Sequence, residues 1–156
     1  MRNITIFLLV VVGTFIIDQS IKVWAMDAVD GVEHATIIST ACIDLELHYN
    51  RGVAFSMLAF LGDNLKWFQL ILILGILIYV FYEGYIKQYA FAIGLIVGGA
   101  LGNLYDRFIH QGVVDYVAWH CGFDFAIFNY ADVMINLGVA TILLMSFMEY
   151  RKESRA

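Results

Sequence analysis

Residues 65–82 read LKWFQLILILGILIYVFY, an apolar run close to the ~20 residues that cross a bilayer as a helix. Three more runs of similar length accompany it. They are Ile4 to Met26, interrupted near its end by Asp18 and Lys22; Tyr89 to Tyr105; and Ala131 to Met148, which begins with Asp132. Proline is absent, so no run has a built-in break. The 156 residues as a whole agree: 62% are hydrophobic and 15% charged, against ~45–50% and about 25% in soluble domains. A water-soluble monomer could not bury that much apolar surface, so lipid is the solvent for much of the molecule. The expected fold is a mainly α membrane protein, a four-transmembrane-helix bundle with helices at about 4–26, 65–82, 89–105 and 131–148 in a single domain, 1–156.

Arg2 and the apolar stretch to Ile17 also suit the start of a cleavable signal peptide. The following Asp18-Gln19-Ser20-Ile21-Lys22-Val23-Trp24 offers no small-residue cleavage site, so a retained helix is expected. Four crossings bring both termini to one side. Arg2, Lys87, Arg151, Lys152 and Arg155 fall there, against Lys22, Arg51, Lys66 and Arg107 on the other. The tight basic cluster after the last run marks that side as cytoplasmic.

Segments of about 27–64 and 106–130 then lie outside. In the first, Ile43, Leu45, Leu47 and Tyr49 alternate with Asp44, Glu46, His48 and Asn50, the pattern of a strand with one apolar and one polar face. Phe123, Phe125, Ile127 and Asn129 suggest a second strand after Cys121-Gly122. A small extracytoplasmic β-sheet resting on the membrane would accommodate both faces. Trp24, Trp67 and Trp119 fall near the expected interfaces, as an aromatic belt requires.

Gly94, Gly98 and Gly102 form a small-residue stripe suited to close helix packing. Gly99, Asn103, Asp106 and Arg107 share another face of the same run, and a polar face there must meet the bundle interior or a water-filled cleft. Asp18 and Lys22, four apart with the acid first, are spaced for a helical ion pair of structural or positioning character. Asp115 sits among apolar neighbours, Val113-Val114 before it and Tyr116-Val117-Ala118-Trp119 after. Asp132 opens the last helix, with Asn129 as a candidate N-cap, and lies at or just below the outer surface. Two carboxylates within a few Å cannot both ionise; sharing one proton, they could serve as acid and base. An ion or proton relay, or simple caps and ion pairs, would use the same residues.

Other chemistry is poorly supported. A net charge of −5 gives no footprint for nucleic acid. There is no GxSxG elbow, HExxH pair or phosphate-binding glycine loop. His34, His48, His110 and His120 lack metal-ligand spacing, so no metal or cofactor is expected. Cys42 and Cys121 both fall outside, free to pair or to remain thiols. A transporter would want carboxylates deep in the span and broken helices or repeats. A mere scaffold leaves the clustering of Asn, Asp and Arg unexplained.

Five motifs follow in order over essentially the whole chain: Asp18-Gln19 with Lys22; Asn50-Arg51-Gly52-Val53-Ala54-Phe55; Gly98 to Arg107; Val113-Val114-Asp115-Tyr116; and Phe128-Asn129-Tyr130-Ala131-Asp132. Together they resemble the bacterial lipoprotein signal peptidase (signal peptidase II) family, with Val53 where that family commonly has alanine. The resemblance implies an aspartic endopeptidase of the bacterial inner membrane that removes signal peptides from diacylglyceryl-modified prolipoproteins, just before the lipidated cysteine. It implies Asp115 and Asp132 as catalytic residues. Asn50, Gly52, Asn103, Arg107 and Asn129 would bind substrate or shape the site, and Asp18, Lys22 and Asp106 would have structural or positioning roles. The implied partners are prolipoproteins and membrane lipid, with no nucleic acid, and the working expectation is a monomer. The outer strands and the Asp106–Tyr130 segment would cover the site.

Overall fold

The computed structural model describes residues 2–52 and 59–154; Val53, Ala54 and Phe55 of the second motif lie outside them. Among the described residues, four helices are long and apolar enough to cross a membrane: α1 (Arg2–Asp27), α2 (Leu65–Tyr82), α3 (Ile86–Ile109) and α4 (Tyr130–Glu153). Strands β1 (Thr36–Ser39) and β2 (Ile43–Asn50) and a short 3-10 segment, Ala59–Asn64, separate α1 from α2. Strand β3 (Val113–Trp119) separates α3 from α4.

Helix α3 is the central element. Of its span 67% is buried, against 17% for α1, 17% for α2 and 11% for α4. The outer three turn side chains such as Leu9, Ile71, Ile78 and Leu143 away from the protein, which is tolerable only where the surroundings are hydrocarbon. Lipid supplies no hydrophobic force between helices, so close packing must hold them together. The glycine stripe provides it. A Cβ at Gly94 would stand 2.8 Å from Val10 Cβ, and one at Gly98 would stand 2.7 Å from Thr14 Cβ, both on α1. On the α4 side, a Cβ at Gly99 or Gly138 would stand 2.6 Å from the backbone oxygen of Ala131 or Ala92. Gly138→Ala therefore forces two backbones apart and is expected to cost ~1–3 kcal/mol. Gly75→Ala, with nothing within 4 Å of its new methyl, should instead gain roughly 1 kcal/mol of helix propensity. Thermal unfolding in detergent micelles checks the pair; shifts of the same sign would contradict this account of the packing.

Asn3 donates to the Lys87 carbonyl at 2.6 Å, and Gln88 bonds to Glu149. The starts of α1 and α3 and the end of α4 thus share one end of the bundle. The antiparallel sheet, in the order β1-β2-β3, belongs to the opposite end. There β2 pairs with β3 through Asn50↔Val113, His48↔Asp115 and Ile43↔Trp119, with a register shift between Leu45 and His48. The expected strand at 43–50 forms, and Leu47 on its apolar side is wholly buried.

Two details differ from the sequence expectation, and a third closes an alternative that the sequence leaves open. Residues 123–129 make no regular strand; Val113–Trp119, richer in β-branched residues, takes the edge of β2 instead. The 123–129 segment reaches the far side of β3 only through scattered bonds, including Phe125 N to Trp119 O and Phe128 N to Val117 O, before turning in to start α4. Helices α3 and α4 overrun the apolar runs that announced them, α4 by continuing through the polar Glu149–Glu153. Finally, Cys42 and Cys121 are disulfide-bonded with Cα atoms 4.3 Å apart, tying the start of β2 to the segment after β3.

Candidate active site

Spacing on α1 and α3 determines what meets at the sheet end of the bundle. Asp18 and Lys22, one turn apart, face Asp106 on α3. All three are wholly buried, with the Lys22 ammonium 2.8 Å from Asp18 Oδ2 and 2.7 Å from Asp106 Oδ2. It donates a third bond to Asn103 Oδ1 at 2.9 Å, so all three N–H bonds have acceptors. Gln19 joins the two acids from the side, donating to Asp18 at 3.1 Å and Asp106 at 3.0 Å. A buried cation and two buried anions are tolerable only with this degree of pairing.

Each anion also holds a piece of backbone. Asp106 Oδ2 accepts Val114 N–H and Asp18 Oδ1 accepts Ala131 N–H, both at 3.1 Å. These are the residues immediately before Asp115 and Asp132. The first turn of α4 has its remaining donors met as well: Tyr130 N–H by the Tyr116 hydroxyl at 3.0 Å, and Asp132 N–H by Asn129 Oδ1 at 3.0 Å. Asp132 returns the favour through Asn129 N–H at 3.2 Å, completing the capping box that Asn129 foreshadows.

Two asparagines bridge Asp115 and Asp132. Asn129 Nδ2 donates to Asp115 Oδ1 at 2.6 Å and to Asn103 Oδ1 at 3.1 Å; Asn103 Nδ2 donates to Asp132 Oδ1 at 2.8 Å. Asn50, the last residue of β2, donates to the second oxygen of Asp115 at 3.0 Å. Its own oxygen accepts Gly52 N–H. Both carboxyls line one cavity of about 780 Å³ between α2 and α4. Its walls are largely apolar, including Leu72 and Ile76 from α2 and Leu137 and Ala140 from α4, and Phe125 to Phe128 border it from the segment before α4. Burial first, and the neighbouring Asp132 second, push the Asp115 carboxyl from 3.8 up to about 7, against the opposing pull of Asn50, Asn129 and Lys22.

Arg107 donates to Gly52 O at 2.5 Å and to Gln69 Oε1 at 2.8 Å. Asp18, Lys22, Asn50, Gly52, Asn103, Asp106, Arg107 and Asn129 thus join Asp115 and Asp132 in one connected network. Gln69 does so without having been singled out: it braces Arg107, donates to Ala100 O at 3.0 Å and lines the cavity. Its signal was available, since an amide inside an apolar membrane run requires a partner.

The comparisons with known proteins agree among themselves. A family model described as signal peptidase (SPase) II matches residues 10–148. The lipoprotein signal peptidase of Sulfurovum sp. (strain NBC37-1) is 60% identical over 147 residues, covering 94% of this chain and 96% of that protein. That of Sulfurimonas denitrificans is 53% identical over 146 residues, covering 94% and 90%. That of Helicobacter pylori (strain Shi470) is 42% identical over 155 residues, covering 99% and 94%. Two solved structures described as bacterial membrane enzymes superpose with TM-scores of 0.77 and 0.71 at 28% and 29% identity. They cover 92% and 89% of this chain and 88% and 90% of theirs.

Proposed function

The chain belongs to the signal peptidase II family of proteases, and from that premise we propose that Asp115 and Asp132 are its catalytic pair, acting on diacylglyceryl-modified prolipoproteins. The observation that carries this reading is the pair of carboxyls joined by Asn103 and Asn129 at the head of an apolar cavity. From Asp132 to Ala140 that cavity follows α4 for about 12 Å, room for an apolar segment entering from lipid. A diacylglyceryl anchor is held in the bilayer by ~0.8 kcal/mol per methylene, so the chemistry must come to it. The test is cleavage by the purified chain of a lipidated prolipoprotein beside the same precursor without lipid. The lipidated form should lose its signal peptide just before the modified cysteine while the other persists; failure on the lipidated form would overturn the proposal.

One proton is shared across the pair at the start. Asp132, in the first turn of α4, stands where the helix N-terminus favours negative charge. It takes a proton from water as the water oxygen attacks the scissile carbonyl carbon, while Asp115 gives its proton to the carbonyl oxygen. In the collapse, Asp115 recovers that proton, Asp132 delivers its own to the departing nitrogen, and the C–N bond breaks. Asn50 and Asn129 hold Asp115 in place, and Arg107 and the Gly52 backbone border the substrate strand.

This division of labour sets a pH dependence. Asp115 is proton-bearing below about 7, with Asp132 on α4, Lys22 on α1 and Arg107 on α3 the charged groups around it. Cleavage should therefore fall as pH rises through about 7. Stability moves the same way: a carboxyl raised above its unfolded value stabilises the fold fully below 3.8, and that contribution is lost as pH climbs to about 7. A rate that keeps rising past pH 8 would contradict the assignment of the proton to Asp115.

The proposed setting is the bacterial inner membrane, with both termini cytoplasmic and the pair near the outer surface. The basic cluster after α4 supports it, as does the disulfide at the sheet end, which suits an oxidising compartment. The whole chain is read as a single peptidase domain working as a monomer. The Asp106–Tyr130 segment is read as its cover, since residues 125–128 border the cavity.

A further inference from the structure

Outside the catalytic cavity, two imidazoles and a carboxylate converge on the outer sheet. Distance along the chain hides the group: Glu46 and His48 flank Leu47 on β2, while His34 precedes β1. Backbone bonds bring them together. His34 N–H donates to Leu47 O at 2.8 Å and Leu47 N–H to Ala35 O at 3.1 Å, fixing His34 beside the very residue the other two flank. His34 holds φ at 67°, a left-handed conformation that few residues other than glycine adopt. Its ring meets that of His48 edge-on, with centroids 4.6 Å apart.

The ligand-capable atoms are closely spaced. Glu46 Oε1 lies 2.8 Å from His48 Nε2 and 3.8 Å from His34 Nδ1, and all three atoms fall within 4.8 Å of one another. Zinc held at ~2.0–2.1 Å by nitrogen and oxygen sets ligand-to-ligand edges of roughly 3.3 Å in a tetrahedron. The observed spacings bracket that edge. Glu46 and His48 side chains are 26% and 22% exposed and that of His34 66%, so a cation could enter and keep water in a fourth position. None of the three lines the catalytic cavity.

We propose that His34, Glu46 and His48 form a binding site for a divalent transition-metal cation of the zinc class. Two neutral imidazoles and one carboxylate suit zinc, copper or nickel, whereas magnesium and calcium prefer oxygen ligands throughout. The bound ion lashes residue 34 to β2, the strand whose last residue, Asn50, holds Asp115. This inference stands apart from the peptidase reading, because its evidence and its test concern cation uptake alone.

Calorimetric titration of the full, untagged chain in detergent micelles with zinc, and separately with magnesium, tests it. One zinc per chain is expected, with no comparable magnesium uptake. Cobalt in place of zinc should show the visible absorption of a tetrahedral site. His34→Asn, Glu46→Gln and His48→Gln should each weaken zinc binding roughly tenfold or more. His34→Asn is the safest of the three for the fold, since asparagine accepts a positive φ. Absence of saturable zinc uptake, uptake unchanged by all three substitutions, magnesium bound as well as zinc, or uptake lost instead in Asp115→Asn would each overturn the proposal.

Discussion

Asp115→Asn and Asp132→Asn should each reduce cleavage of a lipidated prolipoprotein by about 10³-fold or more, within the range that a positioned acid or base supplies. Asparagine keeps the size and part of the hydrogen bonding of aspartate but can neither accept nor release a proton at these steps. At position 132 an amide oxygen can still accept Asn129 N–H, so the start of α4 should survive. At position 115 both oxygens receive amide donors, from Asn50 and Asn129. An amide there must turn its NH2 toward one of them and forfeit that bond, at ~1 kcal/mol. Against this stands a gain. Ionising a carboxyl whose value has risen from 3.8 to about 7 costs the fold on the order of 4 kcal/mol once pH is well above 7, and the amide escapes that cost. Asp115→Asn should therefore be inactive yet more heat-stable than the unaltered protein at pH 8, with the advantage shrinking at pH 5. Single-turnover cleavage and thermal unfolding at both pH values are the measurements. Substantial residual cleavage removes that residue from the mechanism, and a stability difference independent of pH removes the raised Asp115 carboxyl.

Much of this arrangement was legible in the sequence because the constraints that produce it are local. Hydropathy marks what faces lipid, so all four spans were evident, yet it does not register where backbone hydrogen bonding stops. That is why α4 runs on to Glu153 beyond the last apolar residue. Strand β2 was announced by its alternation. Strand β3 was not, because it is buried on both faces along Val113 to Tyr116, and such a strand lacks the apolar–polar alternation that would announce it. The alternating residues 123, 125, 127 and 129 were misleading for the converse reason: the Asn129 side chain is committed to capping α4, which bends the segment off the sheet. Helical spacing put Asp18 with Lys22 and grouped Asn103, Asp106 and Arg107. Their meeting across α1 and α3, and the bracing of Arg107 by Gln69, depend on tertiary packing that periodicity cannot encode.

Lys22→Met is expected to be the most damaging change outside the catalytic pair. The lysine is the cation shared by two carboxylates that are wholly buried. Methionine of similar length leaves both without a cation, and breaking a buried ionic group in this way costs ~3–5 kcal/mol, a fall of about 10 °C in unfolding temperature for a chain this size. The damage should also reach catalysis in whatever fraction remains folded. Asp106 and Asp18 hold the N–H groups just ahead of Asp115 and Asp132, and Lys22 itself anchors Asn103, which bonds Asp132. The same cation thus aligns both halves of the pair without touching either, so kcat should fall while KM changes little. Lys22→Met combined with Asp106→Asn restores the net charge of the buried group and should recover part of the lost stability, a coupling that independent sites would not show. It should not recover the rate, because Asn103 still lacks the lysine's bond and is left with that of Asn129 alone. A Lys22→Met protein that melts within a degree or so of the unaltered chain, or a double variant less stable than the single one, would mean that the buried charges are balanced by something other than this lysine.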